Sequence, residues 1–174
     1  MVDVIDRLKN EARLLHRKAS DGDPAALARI RKVHENPKLE DPALKALIKR
    51  RHGLSALARE LGFEGWTHAA QVLRGQNSSD FGKLLYPGRC GAHTNIWVAS
   101  YQEARRIHRE SGGYLLAYRN QYLIVEADYI RTMGLDPADE DWRAIGYDWV
   151  KPASPDARSR LYEKLVRGKL ETGR

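Results

Sequence analysis

Apolar residues recur every three or four positions through the first third of the chain, which is the spacing of one buried stripe on an α-helix. The first stripe consists of Ile5, Leu8, Ala12, Leu15 and Ala19. Asp23-Pro24 and Asp41-Pro42 each supply an N-cap residue followed by proline, and each precedes another apolar stripe. The pattern predicts short helices joined by short turns.

The later helices of this part are expected from their start and stop residues. The second apolar face consists of Ala26, Leu27, Ile30 and Val33. The third consists of Leu44, Leu47 and Ile48. We expect Gly53 to end the third helix, Ser55 to begin a fourth that ends at Gly62, and Thr67 to cap a fifth. The sequence thus predicts a bundle of about five short helices.

The periodicity changes after residues 76–94, which are rich in polar residues, glycine and proline. We place a domain boundary near residue 78, between a helical region, 1–77, and an α+β region, 78–174. The pattern beyond the boundary predicts a strand, a helix and two strands of a hairpin, over residues 95–100, 101–109, 113–119 and 122–126. Ser154-Pro155 begins the last helix. The fold class is α+β: an N-terminal bundle and a small β-α-β-β unit with flanking C-terminal helices.

The chain carries a formal net charge of +7, and the excess lies mainly in its first part. Residues 1–76 hold 15 basic and 10 acidic side chains, whereas residues 77–174 hold 15 and 13. Clustered lysines and arginines gain affinity for polyanions by releasing counterions from phosphate groups. We therefore expect a nucleic acid or an acidic protein surface as the partner, bound through the basic helices.

Two groups of residues are candidates for that contact. The first surrounds a helix, a glycine turn and a second helix, and it consists of Lys49, Arg50, Arg51, Thr67, His68, Gln71 and Arg74. The second is the cluster Arg105, Arg106 and Arg109, in which the first and last residues are four apart and share one helix face. The alternative interpretation of each group is a solvated helix face.

Two segments resemble known helical units. Residues 14–30 carry Gly22-Asp23 between two short helices and resemble the helix pair of ankyrin-type repeats. Residues 57–63, followed by Trp66, are similar to a helical unit found beside such repeats in uncharacterised bacterial proteins. Such units are associated with protein interaction, so the resemblance implies an interaction scaffold over residues 14–74.

The same residues also fit a DNA-binding helix-turn-helix, with Gly62 at the turn and the small Ala58 where two helices approach. Its core would be Leu57, Leu61, Phe63, Ala69 and Leu73. This pattern resembles that of AraC-type regulators, which implies base reading in the major groove. Glu64, Gly65 and Ala70 are poor base-reading residues, so we favour a structural helical hairpin.

Aromatic residues offer a different nucleic-acid surface. Tyr114, Leu116 and Tyr118 share one face of a predicted strand, and Tyr122 is expected directly across the hairpin. Rings on a sheet beside arginines can stack bases. The alternative is that this face belongs to the core.

The candidate for catalysis is Cys90, which lies in a glycine-rich loop next to Arg89 and three residues before His93. A thiolate stabilised by these residues, with His93 or His108 as base, would suit a small hydrolase or transferase. Nucleophiles usually sit at a strand-to-helix turn or a helix N-terminus, whereas the segment after Cys90 has the pattern of a strand. A non-enzymatic binding protein is therefore our main expectation.

Motifs for cofactors and metals are missing from the sequence. Cys90 and His93 have ligand-like spacing but no second pair, and the acidic run over 136–141 has no calcium-loop spacing and suits helix capping. Neither a phosphate loop nor a dinucleotide fingerprint occurs. We expect no cofactor, no metal and no membrane partner. The single cysteine and the lack of a signal-peptide pattern predict a cytoplasmic location.

Overall fold

The computed structural model describes residues 3–77 and 79–172 of the chain. The chain forms two compact units, Met1–Ala70 and Gln71–Arg174. Ser78, near which the sequence places a domain boundary, lies outside the described residues. The described residues form nine α-helices and a small three-stranded antiparallel sheet, and the helices come first, so the predicted α+β class is confirmed.

The first unit is helical, and its first helix buries the predicted stripe. The helices are α1 (Val4–Asp21), α2 (Pro24–Arg31), α3 (Asp41–Leu47), α4 (Arg50–Glu60) and α5 (Trp66–Leu73), whose last residues belong to the second unit. All five apolar residues of the α1 stripe are buried. Asp23 caps α2 as predicted, because its carboxylate accepts the N–H of Ala26 at 2.7 Å.

Helix α4 begins earlier than the sequence predicts. Gly53 does not end α3, and Ser55 does not begin α4, because α3 ends at Leu47 and α4 begins at Arg50. The reason is packing: a Cβ at Gly53 would lie 2.7 Å from the backbone oxygen of Ala12. Glycine here permits a close approach of α4 to α1, and His52 consequently lies in the first turn of α4.

Two further expectations for this unit are wrong. In the predicted apolar face of α3, Leu44 is buried but Leu47 is 50% exposed, since the helix ends there. Thr67 does not cap α5, which begins one residue earlier at Trp66.

The sheet of the second unit contains β1 (Ile96–Val98), β2 (Tyr114–Tyr118) and β3 (Gln121–Val125) in the order β1-β3-β2. The hairpin turn is Arg119-Asn120, one residue before the predicted turn, and Arg119 has a positive φ of 51°. The segment after residue 146 extends the sheet beyond β2. Leu115 donates to the carbonyl of Tyr147 and accepts from the N–H of Trp149, both at 2.9 Å.

Four helices and a 3₁₀ helix complete the second unit. They are α6 (Tyr101–Ser111), α7 (Ala127–Met133), α8 (Glu140–Ala144), α9 (Pro155–Thr172) and the 3₁₀ helix Gly88–Ala92. Helix α6 covers one sheet face, where Ala104 packs with Leu115 and Ile124 in a buried cluster that Tyr101 and Val150 adjoin. This packing places α6 beside the segment after residue 146, which pairs with β2 at the edge of the sheet. No helix in the described ranges has the length and apolar character needed to cross a bilayer.

Candidate functional site

A pocket of about 460 Å³ lies between α6 and the segment that follows α8 in the chain. Its lining consists of Arg105, His108, Arg109, Ile145, Gly146, Asp148, Lys151 and Ala153. The three α6 residues share one side of the helix because they are spaced by three and four positions. We call this the α6 pocket.

The cations of the α6 pocket are not neutralised by carboxylates. Within residues 3–77 and 79–172, Arg105, Arg109 and Lys151 form no ion pair. The neighbouring Arg106 differs, since its guanidinium binds both carboxylate oxygens of Glu110 at 3.1 and 3.0 Å. Arg105 and Arg109, which the sequence places on one helix face, both line the pocket. Arg106, the third member of that predicted cluster, lies outside the lining.

Asp148 is the one carboxylate in the lining, and its oxygens are already occupied. Oδ2 accepts the hydroxyl of Tyr101 at 2.6 Å, and Oδ1 accepts the N–H groups of Val150 and Lys151, both at 2.9 Å. Burial, together with the adjacent Asp148 carboxylate, raises the pKa of Tyr101, so its hydroxyl remains a donor. Asp148 therefore fixes the turn that carries Lys151.

Lys151 and His108 complete the polar part of the pocket. The Lys151 ammonium lies 4.5 Å from the centroid of the Tyr101 ring, a cation–π distance. His108 Nε2 lies 3.1 Å from the carbonyl oxygen of Gly113. Because a carbonyl only accepts, Nε2 carries the proton, and Nδ1 of a neutral His108 is an acceptor. The sequence missed Lys151 and Asp148, which are distant from α6 along the chain.

The other predicted contact residues lie around α4 and α5. Lys49, Arg50, Arg51, Thr67, Gln71 and Arg74 are exposed. Arg51 holds Glu35, with Nη2 at 2.8 Å from Oε1. His68 is half-buried: its ring packs edge-on against Phe63, and its Nδ1 accepts the N–H of Glu64 at 3.3 Å. Arg51 thus forms an exposed ion pair, whereas the His68 ring packs against the core residue Phe63.

The predicted aromatic surface is not continuous. Tyr118 lies opposite Gln121 and Tyr122 lies opposite Ala117, so Tyr122 points to the other sheet face from Tyr118. Tyr114 is buried, with its ring 4.8 Å from that of Trp142 and its hydroxyl donating to a backbone carbonyl. The expectation of one four-residue face is wrong, and Tyr114 belongs to the core.

The surroundings of Cys90 do not favour an activated thiol. Cys90 is fully buried, and burial raises the pKa of its thiol, the reverse of what a nucleophile needs. Arg89 donates to the carbonyls of Thr132 and Met133 at 2.6 and 2.9 Å, which caps α7. His93 Nε2 lies 2.9 Å from the hydroxyl of Thr132. These polar groups serve the fold, and His108 lies in the α6 pocket.

The acidic run has two roles. Asp139 caps α8, as its Oδ1 accepts the N–H of Asp141 at 3.0 Å, which agrees with the predicted capping. Asp141 is buried and pairs with Arg160 and with Lys164, the latter at 2.9 Å. These α9 cations hold the Asp141 pKa below its usual range. Ion pairing between α8 and α9 was not foreseen from the sequence.

A histidine cluster in the first unit was also missed. Nε2 of His34 and of His52 lie 3.8 and 3.4 Å from Glu35 Oε2, and the two rings are 4.8 Å apart. His52 is buried, and burial lowers its pKa. His52 is distant from His34 and Glu35 along the chain, and its position in the first turn of α4 brings it to them.

This cluster has the residue types of a metal site, so its hydrogen bonding decides whether it fits one. Nδ1 of His52 accepts the N–H of Lys49 at 3.1 Å, which puts the imidazole proton on Nε2. A metal on Nε2 would displace that proton, and a neutral metal-bound imidazole would then carry its proton on Nδ1, where it would break the hydrogen bond from Lys49. The Glu35 carboxylate is also held by Arg51. The cluster therefore has the arrangement of a hydrogen-bonded N-terminal cap for α4.

No family model, curated protein or solved structure matches this chain. Function therefore follows from the chemistry of the described residues. Among their polar clusters, the paired groups hold elements of the fold together. The α6 pocket instead concentrates cations around an open volume.

Proposed function

We propose that the protein is a non-enzymatic nucleic-acid-binding protein that holds a phosphate group in the α6 pocket. The observation that carries the proposal is the convergence of Arg105, Arg109 and Lys151 on one pocket without a carboxylate partner among the described residues. Like charges brought together repel each other, and a bound anion relieves that repulsion.

A phosphate suits these side chains better than a carboxylate does. The guanidinium groups of Arg105 and Arg109 present planar forks of N–H donors that match two oxygens at a time. Lys151 adds a point charge from a different segment of the chain. A carboxylate offers two oxygens in one plane, whereas a phosphodiester adds two ester oxygens to its two non-bridging oxygens in a tetrahedral arrangement, and a phosphomonoester has three non-bridging oxygens. This favours nucleic acid over an acidic protein surface.

The proposal is tested by fluorescence anisotropy with duplex and single-stranded oligonucleotides over a range of salt concentrations. We expect binding that weakens linearly on a logarithmic salt scale. In the double variant Arg105→Ala/Arg109→Ala, affinity should fall by at least roughly 100-fold, because each of the two lost charge-assisted hydrogen bonds contributes about 1.5–3 kcal/mol. The salt slope should fall too, by about 0.7–0.9 for each phosphate that the variant no longer neutralises.

The matched control is Arg106→Ala, which removes an arginine from the same helix but from outside the pocket lining. Its affinity should stay within about twofold of the wild-type value, as for an exposed charge away from the binding site. Absence of binding at low salt would refute the proposal, as would equal losses of affinity in the two variants. Binding of polyglutamate in place of oligonucleotides would show an acidic protein partner instead.

A further inference from the structure

The charge and lining of the α6 pocket indicate which kind of phosphate group it binds. This inference rests on the proposed function. Its three cations face one carboxylate, which leaves a formal charge of +2 when His108 is neutral. An internal phosphodiester carries a single negative charge, whereas a terminal phosphomonoester carries about −1.5 to −2 at neutral pH. The charge of the pocket matches the terminal group.

The single carboxylate does not oppose such a ligand directly. Both oxygens of Asp148 accept hydrogen bonds, from the Tyr101 hydroxyl and from the N–H groups of Val150 and Lys151. Those donors offset part of its charge. The same bonds hold the backbone of Lys151, whose side chain lines the pocket with Arg105 and Arg109 of α6. The cations therefore come from two segments of the chain and line one pocket.

The rest of the lining is uncharged. Gly146 and Ala153 contribute exposed backbone and a methyl group, and Ile145 is buried beneath them in the lining. A strand that ran through the pocket would bring several phosphates and would need cations along its whole path. A chain end brings one highly charged phosphate and one sugar with its base, which suits a lining that is part cationic and part apolar. The volume of about 460 Å³ is that of a small-molecule pocket.

We propose that the α6 pocket recognises a terminal phosphomonoester of a nucleic-acid strand in preference to an internal phosphodiester. The phosphate lies among Arg105, Arg109 and Lys151, and the terminal nucleoside lies toward Gly146 and Ala153.

The test compares three single-stranded oligonucleotides of one sequence, with a 5′-phosphate, a 3′-phosphate or hydroxyls at both ends, each with an internal fluorophore. Anisotropy at low salt should show that at least one phosphorylated oligonucleotide binds about tenfold more tightly than the hydroxyl form, for one added charge-assisted hydrogen bond. A nucleoside monophosphate should displace it, and the nucleoside alone should not. If the monophosphate binds and no oligonucleotide does, the ligand is a free nucleotide and the proposal is wrong.

Variants separate this inference from the proposed function. Lys151→Met keeps the side-chain length over the Tyr101 ring but removes the charge, and it should abolish most of the preference for the phosphorylated end. Arg106→Ala should keep it. If phosphorylated and hydroxyl ends bind with equal affinity, and Arg105→Ala/Arg109→Ala still weakens that binding, the preference for a terminal phosphate is wrong and the proposed function stands. No binding of any oligonucleotide would overturn both, and a preference that survives in the double variant would place the phosphate elsewhere.

Discussion

The arginines of the first unit and those of the α6 pocket use their charge in opposite ways. Arg29 binds both oxygens of Glu60 at 2.8 and 2.6 Å, and Arg51 holds Glu35 at 2.8 Å. Arg105 and Arg109 hold no carboxylate among the described residues. The larger basic excess lies in the N-terminal part, yet the concentrated cationic pocket lies in the C-terminal part. Among the described residues, arginines that lack a carboxylate partner therefore indicate a binding site better than the net charge of a region does.

The largest effect that tests this contrast concerns Asp148. If its carboxylate anchors the turn that carries Lys151, Asp148→Ala leaves the Tyr101 hydroxyl and two N–H groups without their acceptor. We expect the free energy of unfolding to fall by about 2–4 kcal/mol, measured by urea denaturation. Oligonucleotide affinity should fall as well, because Lys151 is no longer held in place.

Asp148→Asn is the matched control. Its amide oxygen can still accept the N–H groups of Val150 and Lys151, so its cost in stability should be clearly smaller than that of the alanine variant. If both variants are as stable as the wild type, Asp148 is not a structural anchor. An alanine variant with tighter oligonucleotide binding would show that the carboxylate acts mainly by repelling the ligand.

A smaller effect concerns the pH dependence of stability. His52, like the paired arginines, binds a group of the fold, since its Nδ1 accepts the N–H of Lys49. Burial keeps the pKa of His52 below its ordinary value of 6.5, and protonation would also remove the acceptor for the Lys49 N–H. The unfolded chain therefore takes up the proton first as pH falls. Stability from this group is complete above pH 6.5 and is lost below it, with a slope of at most about 1.4 kcal/mol per pH unit.

The measurement is urea denaturation at several pH values between neutral and mildly acidic, for wild type and for His52→Asn. Asparagine can accept the same N–H but does not titrate. Other histidines and acids titrate in both proteins, so the difference between the curves isolates His52. Curves that run parallel below pH 6.5 would contradict the assigned role.

The smallest effect compares two arginines by stability alone. Arg29→Ala should lower the free energy of unfolding by about 0.5–1 kcal/mol, since it breaks a partly exposed bidentate ion pair. Arg109→Ala should leave stability unchanged or slightly raise it, because it relieves repulsion in the α6 pocket. A double-mutant cycle with Glu60→Ala confirms that the Arg29 effect belongs to the pair. If Arg29→Ala and Arg109→Ala lower the free energy of unfolding equally, the two arginines do not differ in their contribution to stability.

The sequence predicted those parts of the fold that depend on local periodicity. The buried stripe of α1, the Asp23 cap and the element order β-α-β-β all follow from spacing and capping rules. Gly53 misled because its local signal is a helix stop, whereas its actual use is a close helix crossing. Such an approach to Ala12 has no signature in the neighbouring residues.

The candidate site was predictable only where it lies on one element. Arg105 and Arg109 are four residues apart, so a single helix brings them together whatever the rest of the chain does. Lys151 and Asp148 reach the pocket because their segment extends the sheet beside β2. That placement depends on non-local pairing, which periodicity along the chain does not encode. The approach of His52 to His34 is non-local for the same reason.

Binding through Arg105 and Arg109 is tested by following the arginine side-chain Nε–H signals by NMR while an oligonucleotide is added at low salt. Single arginine-to-alanine variants assign the signals. Phosphate binding in the α6 pocket predicts that the signals of Arg105 and Arg109 shift in proportion to binding, while those of Arg29, Arg51 and Arg106 remain in place. Shifts at the paired arginines without shifts at Arg105 and Arg109 would contradict it.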